Sequence, residues 1–112
     1  MASNRIGRIN GEIQKELSDL FRSVKDPRVS GTLLTITHVD TTSDLRYCKV
    51  YVSALDKSDM KEVIRGLKSA SGFMRRELGQ RVKLRYTPEL TFIADDSMDE
   101  GARILKLMND LK

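Results

Sequence analysis

Residues 61–94 decide the fold of this chain, and they read KEVIRGLKSASGFMRRELGQRVKLRYTPELTFIA. Between Val63 and Leu67 apolar residues recur at the spacings of one helix face, which predicts an amphipathic helix. The tripeptide Ala70-Ser71-Gly72 follows it. Because glycine inside a helix costs about 1 kcal/mol relative to alanine, we predict a break or kink at Gly72.

A second short helix and a strand complete this stretch. Phe73, Met74 and Leu78 continue the apolar periodicity after the break, and Gly79 is placed to end the second helix. The apolar run 90–94 then predicts a strand, with Pro88 ahead of it where proline is tolerated. The stretch thus predicts two consecutive helices that lead into a strand.

The segment before this stretch predicts one helix and a pair of strands. Apolar residues from Ile6 to Val24 form a single helical stripe that ends at Asp26-Pro27, because the residue before proline leaves the helical region. Strand-like residues follow at 32–42 and 46–54, joined by a short polar turn. This arrangement predicts an antiparallel hairpin with one buried and one exposed face.

The end of the chain predicts a final helix. Ser97 and Glu100 have the spacing of a capping box, and apolar residues recur from Ile104 to Leu111. The predicted order is therefore α-β-β-α-(kink)-α-β-α, an α+β two-layer sandwich in which a three-stranded sheet packs against helices. A chain of 112 residues suits one domain, so residues 1–112 are predicted to form a single domain.

Composition excludes several classes of protein. Cys48 is the only cysteine, so an internal disulfide cannot form. No apolar run approaches the ~20 residues that a membrane-spanning helix needs, and the first residues lack the apolar core of a signal peptide. We therefore expect a cytoplasmic protein.

The sequence predicts no catalytic site and no cofactor. His38 is the only histidine and lies in phase with Ile36 on the first strand, while Cys48 lies in phase with core residues of the second. Phosphate-binding and dinucleotide-binding glycine motifs are absent. Carboxylates at Asp95, Asp96 and Asp99 suit Mg²⁺, but they also suit the positive end of the final helix, which is the interpretation we favour.

Positive charge is concentrated between residues 61 and 85, which carry eight basic and two acidic side chains. Lys61, Arg65 and Lys68 share one helix face, set apart from the apolar stripe. The small residues at the break allow a phosphate to approach the backbone at the start of the second helix. This pattern predicts a polyanion site. The predicted contacts are Lys61, Arg65, Lys68, Arg75, Arg76, Arg81, Lys83 and Arg85, with Ala70, Ser71 and Gly72 at the break.

From residue 5 to residue 111 the chain resembles the bacterial ribosome-binding factor A family. The resemblance is carried by Ala70-Ser71-Gly72-Phe73, Arg75, Leu78-Gly79, Pro88-Glu89-Leu90-Thr91-Phe92, Asp95 and Ser97, and by Lys25-Asp26-Pro27-Arg28. It implies a KH-like fold of the type II arrangement, in which a helix–alanine kink–helix replaces the GxxG loop. Family members often carry an additional C-terminal tail.

The resemblance also implies a function. It implies a monomeric, non-catalytic assembly factor that binds the free 30S subunit and 16S rRNA. Late maturation of the subunit, processing of the 16S rRNA 5′ end and growth in the cold would depend on it. No membrane or small-molecule substrate is implied.

Three alternatives to this function remain open. One is a protein-interaction module that uses the open sheet face at Tyr47, Lys49 and Tyr51. Another is a metal-dependent enzyme built on Asp95, Asp96 and Asp99. The third is KH-type reading of a single-stranded sequence, against which the incomplete GxxG argues.

Overall fold

The computed structural model describes residues 2–54, 59–84 and 86–95. Its elements are α1 (Ala2–Leu20), a 3₁₀ turn (Phe21–Ser23), α2 (Pro27–Ser30), β1 (Leu34–Thr41), β2 (Tyr47–Ala54), α3 (Met60–Ser69), α4 (Ser71–Arg81) and β3 (Glu89–Ala94). Every predicted element up to β3 is present in the predicted order. The predicted final helix, with its Ser97–Glu100 capping box, lies outside the described residues.

Helix α2 was not predicted, and its sequence explains why it forms. Asp26 accepts a hydrogen bond from the backbone N–H of Arg28, which caps the helix, and Pro27 occupies a first-turn position where its missing N–H costs nothing. The Arg28 guanidinium also donates to the Asp26 carboxylate, with Nη2 and Oδ2 separated by 2.6 Å. Hydrogen bonds from the Arg28 side chain are the main reason that the pKa of Asp26 falls to about 2. The Asp-Pro pair therefore begins α2. The prediction that the first helix runs up to this pair is wrong, because α1 ends at Leu20, the 3₁₀ turn ends at Ser23 and the backbone is already extended at Val24.

The three strands form one mixed sheet in the order β1-β2-β3. Strands β1 and β2 are antiparallel, as the hairpin prediction required, and β2 and β3 are parallel. Helices α1 and α3 pack against β1 and β3. The buried face carries Cys48, Val50, Val52, Leu90 and Phe92. The other face is open around Tyr47 and Lys49. The result is the predicted two-layer α+β sandwich.

A bulge in β1 makes the predicted phase of His38 wrong. The register with β2 shifts between Ile36 and His38, so that Thr37 is an extra residue on this strand. After the bulge Val39 and Thr41 face the core, and His38 is exposed beside the ring of Tyr51, with ring centroids 5.6 Å apart. Because one added residue reverses the side-chain phase, strict alternation from Ile36 could not place His38 correctly.

Helices α3 and α4 form the connection between the parallel strands β2 and β3. The predicted break is present, but it falls at Ala70 and not at Gly72, which lies within α4. Gly79 does not end α4, which continues to Arg81. A Cβ on Gly79 would lie 2.6 Å from the Thr87 hydroxyl, so its small size serves the close approach of the segment that leads to β3.

Candidate nucleic-acid interface

The exposed face of α3 carries the first three predicted phosphate contacts. Lys61, Arg65 and Lys68 are exposed, whereas Val63 and Leu67 on the same helix are buried. Arg65 forms an ion pair with Glu62 at 2.9 Å and keeps 69% of its side chain exposed. Exposed pairs of this kind contribute little to stability, so a phosphate can compete for the arginine.

The turn at Ala70 exposes the start of α4. The N–H of Ala70 donates to the carbonyl oxygens of Gly66 and Leu67, both at 3.1 Å, and its own carbonyl accepts from Met74 at 3.0 Å. Asp26 and Asp59 cap α2 and α3, but no side chain caps α4. The first N–H groups of a helix need acceptors from outside the helix. An anion can therefore act as the acceptor at this turn.

The small residues of the turn leave space around the backbone. A Cβ placed on Gly72 would meet no other atom within 4 Å. The Ser71 hydroxyl donates to the Lys68 carbonyl at 2.8 Å, which directs this side chain back toward α3. A ligand phosphate can approach this backbone without meeting a bulky side chain.

Arg75 and Arg76 are both exposed on α4. The Arg75 guanidinium donates from Nε and Nη2 to the carbonyl oxygen of Thr87, at 3.3 and 3.0 Å. This contact holds Arg75 against the segment before β3. Lys83 is exposed after the end of α4, and Arg85 lies outside the described residues.

Arg81 is engaged within the protein. Its Nη1 donates to Asp19 Oδ2 at 2.6 Å and to Glu16 Oε2 at 3.3 Å, and 32% of its side chain is exposed. The hydrogen bond from Arg81 lowers the pKa of Asp19, and the same contact raises the pKa of the arginine. Arg81 thus ties α4 to α1, and its assignment to RNA stays a prediction.

One exposed aromatic side chain was not assigned to this site from the sequence. Phe73 was placed in the apolar run of the second helix, yet it is 40% exposed in the first turn of α4. The helical period could have indicated this exposure. Consecutive residues of a helix point in different directions, and Met74, which follows Phe73, is fully buried.

The alternative sites are only partly within the described residues. The Thr37 hydroxyl donates to the Asp95 carboxylate, and the Asp95 N–H donates to Val52 at 2.7 Å. Asp96 and Asp99 lie outside the described residues.

Cys48 is fully buried and its pKa is raised by that burial, while His38 is exposed on the other face of the sheet. A cysteine nucleophile activated by a histidine would require these two side chains to meet, and they do not.

In the part of the chain that the structure describes, no helix is long and apolar enough to cross a bilayer.

The chain is similar in sequence and in fold to known proteins of one family. The family model described as ribosome-binding factor A matches residues 5–108. The chain is 53% identical to ribosome-binding factor A of Acetivibrio thermocellus, over 95% of this chain and 87% of the relative. It is 48% identical to that of Clostridium tetani, over 100% of this chain and 93% of the relative.

Two structural neighbours come from Thermus thermophilus. The crystal structure of its ribosome-binding factor A superposes with a TM-score of 0.71 at 26% identity, over 80% of this chain and 94% of the neighbour. A homology model of that factor, fitted into a cryo-EM map of a 30S complex, gives a TM-score of 0.63 at 25% identity, over 78% and 91% of the two chains.

Proposed function

Because the chain belongs to the ribosome-binding factor A family, we propose that it binds the 30S ribosomal subunit and acts in assembly of that subunit. In this proposal residues 1–112 form a single KH-like RNA-binding domain that contacts 16S rRNA. It acts as a monomer in the cytoplasm and without catalysis, during late maturation that includes processing of the 16S rRNA 5′ end. Support of growth in the cold belongs to the same proposal.

The observation that carries this proposal is the arrangement around the turn at Ala70. Cationic side chains are exposed on both helices that meet there, and the N-terminus of α4 has no side-chain cap. Phosphates are attracted both by the cations and by the N–H groups of a helix start. A turn of small residues between two cationic helices is therefore suited to the backbone of a folded RNA.

The proposed roles of the cationic residues are not equal. Lys68, Arg75 and Arg76 lie nearest in sequence to the turn and are exposed, so they are the main phosphate contacts. Lys61 and Arg65 extend the surface along α3, and Lys83 extends it beyond α4. Arg81 would have to leave Asp19 and Glu16 to contact RNA, so its contribution is smallest. Contacts of this type fix position and carry no sequence information.

The decisive experiment is charge reversal at the turn. We expect the triple variant Lys68→Glu, Arg75→Glu, Arg76→Glu to lose co-sedimentation with 30S particles while circular dichroism reports an unchanged fold. A matched control reverses three exposed cations elsewhere, Arg5, Arg8 and Lys49.

Two results would count against the assignment. Equal loss in the matched control would show a general charge effect with no defined site. Unchanged binding of the triple variant would remove the turn as the site. Binding that persists at high salt and after nuclease treatment would instead favour a protein partner on the open sheet face, where Tyr47 and Lys49 are exposed.

A further inference from the structure

A groove of about 430 Å³ lies at the end of the sheet where β2 and β3 begin. Four large apolar side chains are exposed among the described residues, and two of them, Tyr47 at 54% and Tyr86 at 59%, line this groove. Arg75, already part of the proposed interface on α4, lines it as well. The other charged lining residues are Asp44, Arg46 and Glu89.

Hydrogen bonds fix the walls of this groove. Asp44 accepts from the Thr42 hydroxyl at 2.7 Å and from the backbone N–H of Arg46 at 3.1 Å, which shapes the turn between β1 and β2. The N–H of Glu89 donates to the Arg46 carbonyl at 2.8 Å and joins the starts of β2 and β3. The buried side chain of Leu45 anchors the turn to the core.

The charge of the groove differs from that of the helical face. Two arginines, Arg46 and Arg75, and two carboxylates, Asp44 and Glu89, line the groove, so its formal charge is balanced and does not favour a phosphate. A neutral, flat ligand that carries both hydrogen-bond donors and acceptors fits such a lining. Exposed aromatic rings provide stacking surfaces for ligands of this shape, and unstacked RNA bases are bound in this way.

Guanine matches this set of groups. A carboxylate such as Glu89 can accept from the N–H donors of its Watson–Crick edge, and an arginine can donate to its O6 and N7. Adenine presents an amino group beside N7 and offers no acceptor at the position of O6. Uracil has a smaller ring and offers less surface for stacking on Tyr47 or Tyr86.

We propose that this groove binds one unstacked guanine base of the RNA whose phosphates contact α3 and α4. The inference rests on the proposed function and adds a base-reading site to it. Arg75 connects the two surfaces, since it lies on α4, donates to Thr87 and lines the groove. A strand held at the turn can therefore reach the groove without leaving the protein surface.

The test compares single-stranded RNAs of about nine uridines that carry guanosine, adenosine or uridine at the centre. Fluorescence anisotropy of labelled RNA, measured with the full chain at moderate salt, gives the three dissociation constants. We expect the guanosine RNA to bind about tenfold more tightly than the uridine RNA. Equal affinity for all three would overturn the base site, and salt-dependent binding of all three would leave the phosphate contacts of the proposed function in place.

Substitutions of the groove residues test which side chains produce the preference for guanosine. Tyr47→Ala and Tyr86→Ala should each remove most of the guanosine preference, and the phenylalanine variants should retain it because stacking uses the ring. Glu89→Gln should equalise guanosine and adenosine. Tyr51→Ala is the control, since its ring lies beside His38 and not in the groove. A preference that survives both alanine variants, or that falls equally in the control, would overturn the inference.

Co-sedimentation separates this inference from the proposed function. A chain that co-sediments with 30S particles but binds none of the short RNAs would overturn the base site alone. Loss of co-sedimentation by the unmodified chain would contradict the proposed function itself.

Discussion

Helices α2 and α3 approach each other so closely at Gly66 that replacing this glycine with alanine should destabilise the chain. A Cβ added to Gly66 would lie 2.8 Å from Val29 Cγ2 and 3.1 Å from the Cβ of Arg28. Carbon atoms in favourable contact are separated by about 3.5–4.0 Å, so α2 would have to move by about 0.7 Å or more. The neighbours are a branched side chain and a backbone-linked Cβ, neither of which can swing away.

Two opposing contributions determine how much Gly66→Ala changes the free energy of unfolding. Overpacking of a core contact costs about 1–3 kcal/mol, and replacing a helical glycine with alanine returns about 1 kcal/mol. We therefore expect the free energy of unfolding to fall by about 1 kcal/mol, which lowers Tm by about 5 °C in a domain of this size. Gly11→Ala is the matched control, because a Cβ there meets nothing within 4 Å. That variant should gain about 1 kcal/mol.

Thermal and urea denaturation followed by circular dichroism measure both variants. A double variant, Gly66→Ala with Val29→Ala, removes the methyl group at 2.8 Å, so its loss of stability should be smaller than the sum of the losses of the two single variants. The coupling between the two substitutions should be about 1 kcal/mol, within the range found for residues in contact. If Gly66→Ala stabilises the chain as much as Gly11→Ala does, the close approach of α2 and α3 is refuted.

Three further predictions concern side chains already described. The Asp26 pKa of about 2, against an ordinary 3.8, means that its stabilising contribution is complete above that ordinary value and is lost as pH falls toward 2. Acid titration of wild type and Asp26→Asn should therefore differ in slope over this range, and identical curves would contradict the pairing with Arg28. Arg81→Gln should lower Tm yet change 30S co-sedimentation less than Arg76→Gln does, and a larger binding loss at Arg81 would reverse their proposed roles. Cys48 should react with a thiol reagent only upon unfolding, and fast reaction of the native chain would contradict its burial.

Local periodicity was sufficient to predict most of the fold. The apolar stripe of α1 and the alternation of β2 each follow from the period of one element, and burial of Ile13, Leu17, Val50 and Val52 agrees with them. The hairpin and the two consecutive helices also followed from short-range signals. The structure and the structural neighbours confirm the three-stranded α+β arrangement.

Features that depend on contacts between distant residues were missed. The residue types of β1 do not indicate the bulge at Thr37, which adds one residue to the strand. His38 was therefore assigned to the wrong face. We predicted the break at Gly72 because glycine has the lowest helix propensity of the non-proline residues. In the structure the chain turns at Ala70, and Gly72 is helical.

The candidate site shows the same limit. Charge density located the basic surface on α3 and α4, but sequence could not reveal that Arg81 meets Asp19 and Glu16, which are more than sixty residues away. Nor could it bring Tyr47 and Tyr86 to one groove, since the pairing of β2 with β3 creates that neighbourhood.

The position of the turn at Ala70 within the sheet topology affects the thermodynamics of binding. It lies in the middle of the connection between β2 and β3, two strands that are hydrogen-bonded to each other. Both helices that meet at the turn also pack against β3, so the backbone at the turn has already lost its conformational entropy when the chain folds. Ordering of an interface on binding opposes affinity. For this surface that entropic penalty should fall mainly on the long cationic side chains and on the RNA, and very little on the protein backbone.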